Sequence, residues 1–144
     1  MTGWILEKCE DAWTNYLSGS WVTTEGIVTP NFYRGNEEQI KNGPLVLSYS
    51  TDAQELEQNS GIYSVTLVIH FSFPFETGEL INRNAIVEQL SKLIYNNPNL
   101  LTNLRSSTDK LSIMACYFKA HNQGLEEDCY VTNNLLEMVV SGQL

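Results

Sequence analysis

Three cysteines, two histidines and a surplus of carboxylates are the residues with chemistry to offer in this chain of 144 residues. A structural zinc site needs about four thiolate, imidazole or carboxylate ligands at short paired spacings. Cys9, Cys116 and Cys129 are far apart in sequence, and His70 and His121 are the only imidazoles. Cys116 and Cys129 flank one predicted hairpin, where they read as small buried hydrophobes rather than ligands. Nucleophilic catalysis requires a base and an orienting acid beside the nucleophile. Neither histidine lies in such a signature, and His70 falls on the polar side of a predicted strand. The carboxylates at Glu37-Glu38, at Glu55 and Glu57, and at Glu126-Glu127-Asp128 lie in polar stretches, with no apolar frame to shift a pKa for acid–base work. Neither a Walker loop nor a G-x-G-x-x-G turn is present. The expectation is therefore no catalytic residue, no metal and no cofactor.

Phe32, Tyr33 and Arg34 sit together in a turn-rich segment just ahead of Glu37 and Glu38. Tyrosine and arginine concentrate in the energetic centres of protein interfaces, which makes these five residues a candidate contact surface. An aromatic loop folded back on its own core is the competing reading.

The frame for these residues is one domain, 1–144. An apolar share of 42% supports a packed core in a chain of this length without disulfides or metals. Seventeen acidic against eight basic residues give a net charge of −9, which repels phosphate backbones and anionic headgroups. Sequence-specific nucleic-acid binding is disfavoured; DNA at most slides past an acidic wall. Glu7, Lys8, Glu10 and Asp11 break the N-terminal stretch, so no secretion signal is expected. The apolar run Ile62 to Phe75 is too short and too interrupted for a membrane helix. The odd, widely spaced cysteines suit a reducing cytosol.

Leu6, Cys9, Trp13, Tyr16 and Leu17 recur at helical steps and predict an amphipathic helix that ends near Gly19. Trp21, Ile27 and Val28 suggest a short strand, and Leu45 to Tyr49 a second. Thr51 to Gly61 reads as an exposed loop. Tyr63, Val65, Leu67, Ile69, Phe71, Phe73 and Phe75 alternate with polar residues in a long, half-buried antiparallel strand. Asn84 is placed as the cap of a helix carrying Ile86, Val87, Leu90, Leu93 and Ile94, closed by Asn96-Asn97-Pro98. A short helix with Leu100, Leu101 and Leu104 follows. Leu111 to Lys119 is apolar on both sides and reads as a central or covered strand; His121 to Asp128 reads as a hairpin loop, and Cys129 to Val140 as the last strand, with a bulge at Asn133-Asn134. The fold class predicted is α+β, an antiparallel sheet of four to five strands with helices packed on one face.

The N-terminal helix, the Phe32-Tyr33-Arg34-Gly35-Asn36 segment, the Pro44-Leu45-Val46-Leu47 and Gly61-Ile62-Tyr63-Ser64-Val65 strand starts and the Asn84 to Tyr95 helix together resemble the minor tail and tail terminator proteins of long-tailed bacteriophages. Tyr130-Val131-Thr132, entering a terminal strand after an acidic loop, extends the likeness. The resemblance implies a non-catalytic virion protein that completes the tail or the head–tail joint. Such a subunit assembles as a ring, commonly a hexamer, on tail-tube or neck proteins, in the host cytoplasm and then in the virion. The acidic balance suits a channel through which DNA passes. A small acidic monomer that binds one protein, of immunity or inhibitor type, is the alternative.

Overall fold

The computed structural model describes residues 2–35, 43–75, 80–95, 97–126 and 128–142. It has helix α1 (Thr2–Ser20), strands β1 (Asn31–Arg34), β2 (Leu45–Glu55) and β3 (Ile62–Pro74), helices α2 (Leu80–Ile94) and α3 (Leu100–Ser106), and strands β4 (Leu111–Glu126) and β5 (Cys129–Gly142). The five strands form one sheet in the order β1-β2-β3-β5-β4. Every pairing is antiparallel except β1 with β2. The α+β class and the strand count agree with the sequence pattern.

β3 is central because its alternation gives it one fully apolar side. Val65, Leu67, Ile69 and Phe71 have no exposed surface, and Phe73 is buried as well. Across β5 the same side continues through Leu136, Met138 and Val140, which stand opposite Leu67, Val65 and Tyr63. All three helices meet this side. In α1 the buried stripe is Ile5, Cys9, Ala12, Trp13, Tyr16 and Leu17, with Ile5 rather than Leu6 fully buried. In α2 it is Ile86, Leu90 and Ile94, spaced by four residues each, and in α3 it is Leu104. The Tyr16 hydroxyl donates to the Leu93 carbonyl at 2.7 Å and ties α1 to the end of α2. The other side of the sheet carries Tyr33, Leu47, Tyr49, Leu135 and Val139, all half-buried, among His70, Thr66, Asn133 and Glu137. No helix among the described residues lies on it.

Several boundaries differ from the sequence pattern. Ile27 and Val28 form no strand; the chain turns at Gly26, where φ is +83°, and strand structure begins at Asn31. β2 runs through Thr51 to Glu55, because β3 supplies a backbone partner for polar residues that remain exposed; the strand absorbs a register shift between Ser50 and Asp52. The turn that follows is closed by Glu55, whose carboxylate accepts from the Asn59 and Gly61 backbone N–H groups. Phe75 lies past the end of β3 and is exposed. Asn84 is inside α2 rather than at its cap. β4 is an edge strand, not a covered one, and it continues to Glu126 where a loop was expected. Its two register shifts, at Met114 and Lys119, are where the bulges fall; Asn133 and Asn134 pair regularly.

Candidate functional site

The chemistry-bearing residues do not converge. Cys116 stands opposite Met138 and Cys129 opposite Glu126, well apart along β5. Cys116 lies instead on the helix-covered side near Cys9, and burial pushes both thiols up to about 12. Thiols held protonated at neutral pH are poor nucleophiles and poor ligands. Among the described residues no three His, Cys, Asp or Glu side chains are grouped to hold a metal ion. His70 lies on the open side of the sheet with its Nδ1 2.7 Å from Asn133 Oδ1. Glu55 caps its own turn, and Glu126 is exposed at the end of β4.

The sheet's two edges stand out instead. The β1 edge is held from inside by α1. The Arg34 guanidinium reaches Asp11 at 2.5 Å and Glu7 at 3.0 Å, and the bond to Asp11 raises its pKa above the ordinary arginine value. The Thr14 hydroxyl donates to the Tyr33 carbonyl at 3.5 Å. Phe32 packs edge-on against Trp21, with ring centroids 5.4 Å apart. Beside them the Glu10 carboxylate accepts from both the Ser50 backbone N–H and its hydroxyl, at 2.8 and 2.6 Å. Of the five residues predicted as a contact surface, Phe32, Tyr33 and Arg34 thus form an edge strand, not a protruding loop. Arg34 is spent on α1. Tyr33 alone turns to the open side of the sheet. Glu37 and Glu38 lie outside the described residues.

The β4 edge is longer and different in kind. At its start the Arg105 guanidinium donates from Nε to the Ile113 carbonyl at 2.8 Å and covers that backbone group. From Tyr117 to Glu126 every side chain is exposed, Leu125 at 74% and Tyr117 at 54%. This half is nonetheless firmly held. Tyr95, just past the end of α2, stacks edge-on against Phe118 at 4.6 Å between centroids. The Tyr95 hydroxyl donates to Asn134 Oδ1, and His121 Nδ1 lies 2.8 Å from both oxygens. Burial pushes the Tyr95 hydroxyl up to about 12. The Tyr130 hydroxyl donates to Gln123 at 2.5 Å and Asn133 to Asn122 at 3.2 Å. Arg83 of α2 lies 3.9 Å above the Tyr130 ring, a cation–π contact that presses the helix onto the hairpin. On the open side Lys119 pairs with Glu137 at 3.0 Å, and the Ser64 hydroxyl with the same carboxylate at 2.7 Å; these contacts hold the Glu137 pKa below the usual range.

Sequence reasoning missed this second edge.

No helix among the described residues is long and apolar enough to cross a membrane. Neither a scan against protein-family models nor a search of curated proteins finds a match for the chain.

Proposed function

We propose that this chain is a structural subunit that associates head to tail into a closed ring, as the resemblance to phage tail-completion proteins implies, with tail-tube or neck proteins as its seat. A ring needs two different patches on each subunit, one accepting what the other offers. The observation that supports this reading is the pair of unlike edges, β1 and β4, at opposite ends of one sheet. Natural sheets shorten, charge or cover long edges to prevent unwanted pairing. Here β4 keeps a preorganised, aromatic, uncovered stretch from Tyr117 onward, held by Tyr95 after α2 and by bonds to β5. A net charge of −9 suits a channel wall along which DNA passes without sticking.

The test is the mass in solution by light scattering across a wide concentration range, repeated with purified tail tubes. Assembly into one closed species, alone or on tube ends, is the expected result. A strict monomer that ignores tube ends would overturn it and leave the single-partner acidic binder as the reading.

A further inference from the structure

We infer that the ring contact is a strand-to-strand junction in which β1 of one copy lies antiparallel beside the second half of β4 in its neighbour; this rests on the assembly reading above. Three observations carry it.

The first is height. Reading the pairings across the sheet, Asn31 stands level with Leu45, Ser72, Val131 and Gly124. Tyr33 likewise stands level with Leu47, His70, Asn133 and Asn122. The four residues of β1 therefore match, rung for rung, the uncovered stretch of β4 and miss the stretch that Arg105 covers. Two copies set side by side meet there without sliding along the strands.

The second is direction. β1 runs with β2, β2 runs against β3, β3 against β5, and β5 against β4. β1 and β4 are thus opposed in direction, so a neighbour placed in the same orientation brings them together antiparallel, with the helix-covered side meeting the helix-covered side. Antiparallel pairing is the slightly more stable kind per residue.

The third is charge. In a chain with seventeen carboxylate side chains, neither Asn31–Arg34 nor the β4 stretch from Tyr117 to Leu125 carries one, and Lys119 and His121 are on the latter. Two highly acidic copies meet here with no carboxylate on either pairing strand, while Glu7 beside Arg34 comes to the same height and side as the neighbour's His121.

Disulfide trapping tests it. Tyr33 and Asn122 both face the open side of the sheet, level with each other. Within one copy they are four strand spacings apart, roughly 19 Å, beyond the ~7 Å limit of a disulfide, so a bond between them joins two molecules. The double variant Tyr33→Cys/Asn122→Cys is made in a Cys129→Ser background and oxidised with copper–phenanthroline at a concentration where the parent assembles. A ladder of covalent oligomers is expected, at least about tenfold richer than from Tyr33→Cys/Met114→Cys, whose second site sits far along β4. Asn31→Cys/Gly124→Cys is the second pair; a Cβ at Gly124 meets nothing within 4 Å, so this variant folds even if the loss of Tyr33 does not allow it. Parent rings with no enrichment at either level pair would overturn the junction and leave the assembly reading standing. A parent that never assembles would overturn both.

Discussion

The indole N–H of Trp13 points at the sulfur of Met138, 3.2 Å away, joining α1 to β5 across a sequence separation of 125 residues. Both side chains are fully buried. The thioether is a weak acceptor, yet it is the only one the indole has among the described residues. Met138→Leu keeps the volume and removes the acceptor. A volume-conserving change costs under about 1.5 kcal/mol, and an orphaned buried donor adds about 1–3 kcal/mol. A urea-unfolding loss of about 2 kcal/mol is expected for Met138→Leu, and in the cycle of Trp13→Phe, Met138→Leu and the double variant the double loss should be smaller than the sum of the single losses, because no donor is left behind. Strictly additive losses around the cycle would show that the N–H···S contact contributes nothing.

Leu67 and Ile69 have no exposed surface at the middle of the central strand. Replacing either by Ala should cost about 2–5 kcal/mol, the range for cavities in packed cores. The neighbour Thr66 faces the open side, and Thr66→Ala should stay within about 0.5 kcal/mol in the same denaturation experiment. Similar losses at Leu67 and Thr66 would mean that the sheet's two sides are assigned the wrong way round.

Gly35 occupies a left-handed backbone at φ +34°, and a Cβ there would collide with the Glu10 carboxylate. That carboxylate serves the Ser50 N–H and hydroxyl. Gly35→Ala therefore adds backbone strain and displaces a doubly bonded acceptor, and a loss of about 1–3 kcal/mol is expected. Glu10→Ala, which removes the clashing carboxylate, should abolish most of the additional loss caused by Gly35→Ala. A neutral Gly35→Ala in thermal melts would show that β1 leaves this geometry at no cost.

Arg34→Glu sets a third carboxylate between Glu7 and Asp11. The pair is partly exposed, so breaking it costs only about 1 kcal/mol, and the added repulsion should shrink as salt is raised. Tyr33→Ala should instead leave the melt nearly unchanged and act on self-association. Melts in low and high salt, beside light scattering, separate the two. A salt-independent Arg34→Glu loss would rule out electrostatic repulsion as its cause.

Cys9 and Cys116 keep their protons to about pH 12 because burial penalises the thiolate, whereas the unfolded chain releases them near the ordinary thiol value of 9.0. The folded form then binds more protons than the unfolded form, so stability is full below pH 9.0 and falls as pH rises toward about 12. Each thiol contributes a slope of about 1.4 kcal/mol per pH unit in that window. Urea midpoints at pH 8, 9 and 10 should fall, and fall less steeply in Cys9→Ala. Identical slopes in parent and variant would place the Cys9 titration outside the folding equilibrium.

What the sequence made legible was what alternation alone decides. Tyr63 to Phe73 announces a long, half-buried strand because every second residue is large and apolar, and Ile86, Leu90 and Ile94 announce α2 by the same logic at helical spacing; that this strand is central emerges only from the pairing. β1 was illegible because four residues that pair in parallel with a strand beginning at Leu45 leave no hairpin signal between them. The outer half of β2 was hidden by its polar side chains: Thr51 to Glu55 are a strand because β3 is there to pair with, not because of their own preference. β4 was misread as covered because two bulges reset its alternation. Ile113 and Cys116, three residues apart, face the same side, and the pattern looks apolar on both. An edge is a property of what the neighbours do, so no residue in β4 announces it.

The contact between Trp13 and Met138 also fixes an order of events during synthesis. Helix α1 leaves the ribosome first, yet the strand that covers its indole is made last. α1 can dock early on β1 and β2 through Arg34 and Glu10, but until β5 appears the Trp13 indole has no acceptor and the apolar side of β3 no complete cover. The β4–β5 hairpin, local in sequence, closes quickly by comparison, whereas the Trp13–Met138 contact must wait for a loop spanning most of the chain. Early docking of the helix and late sealing of its core are thus two separate steps, and apolar surface stays open between them.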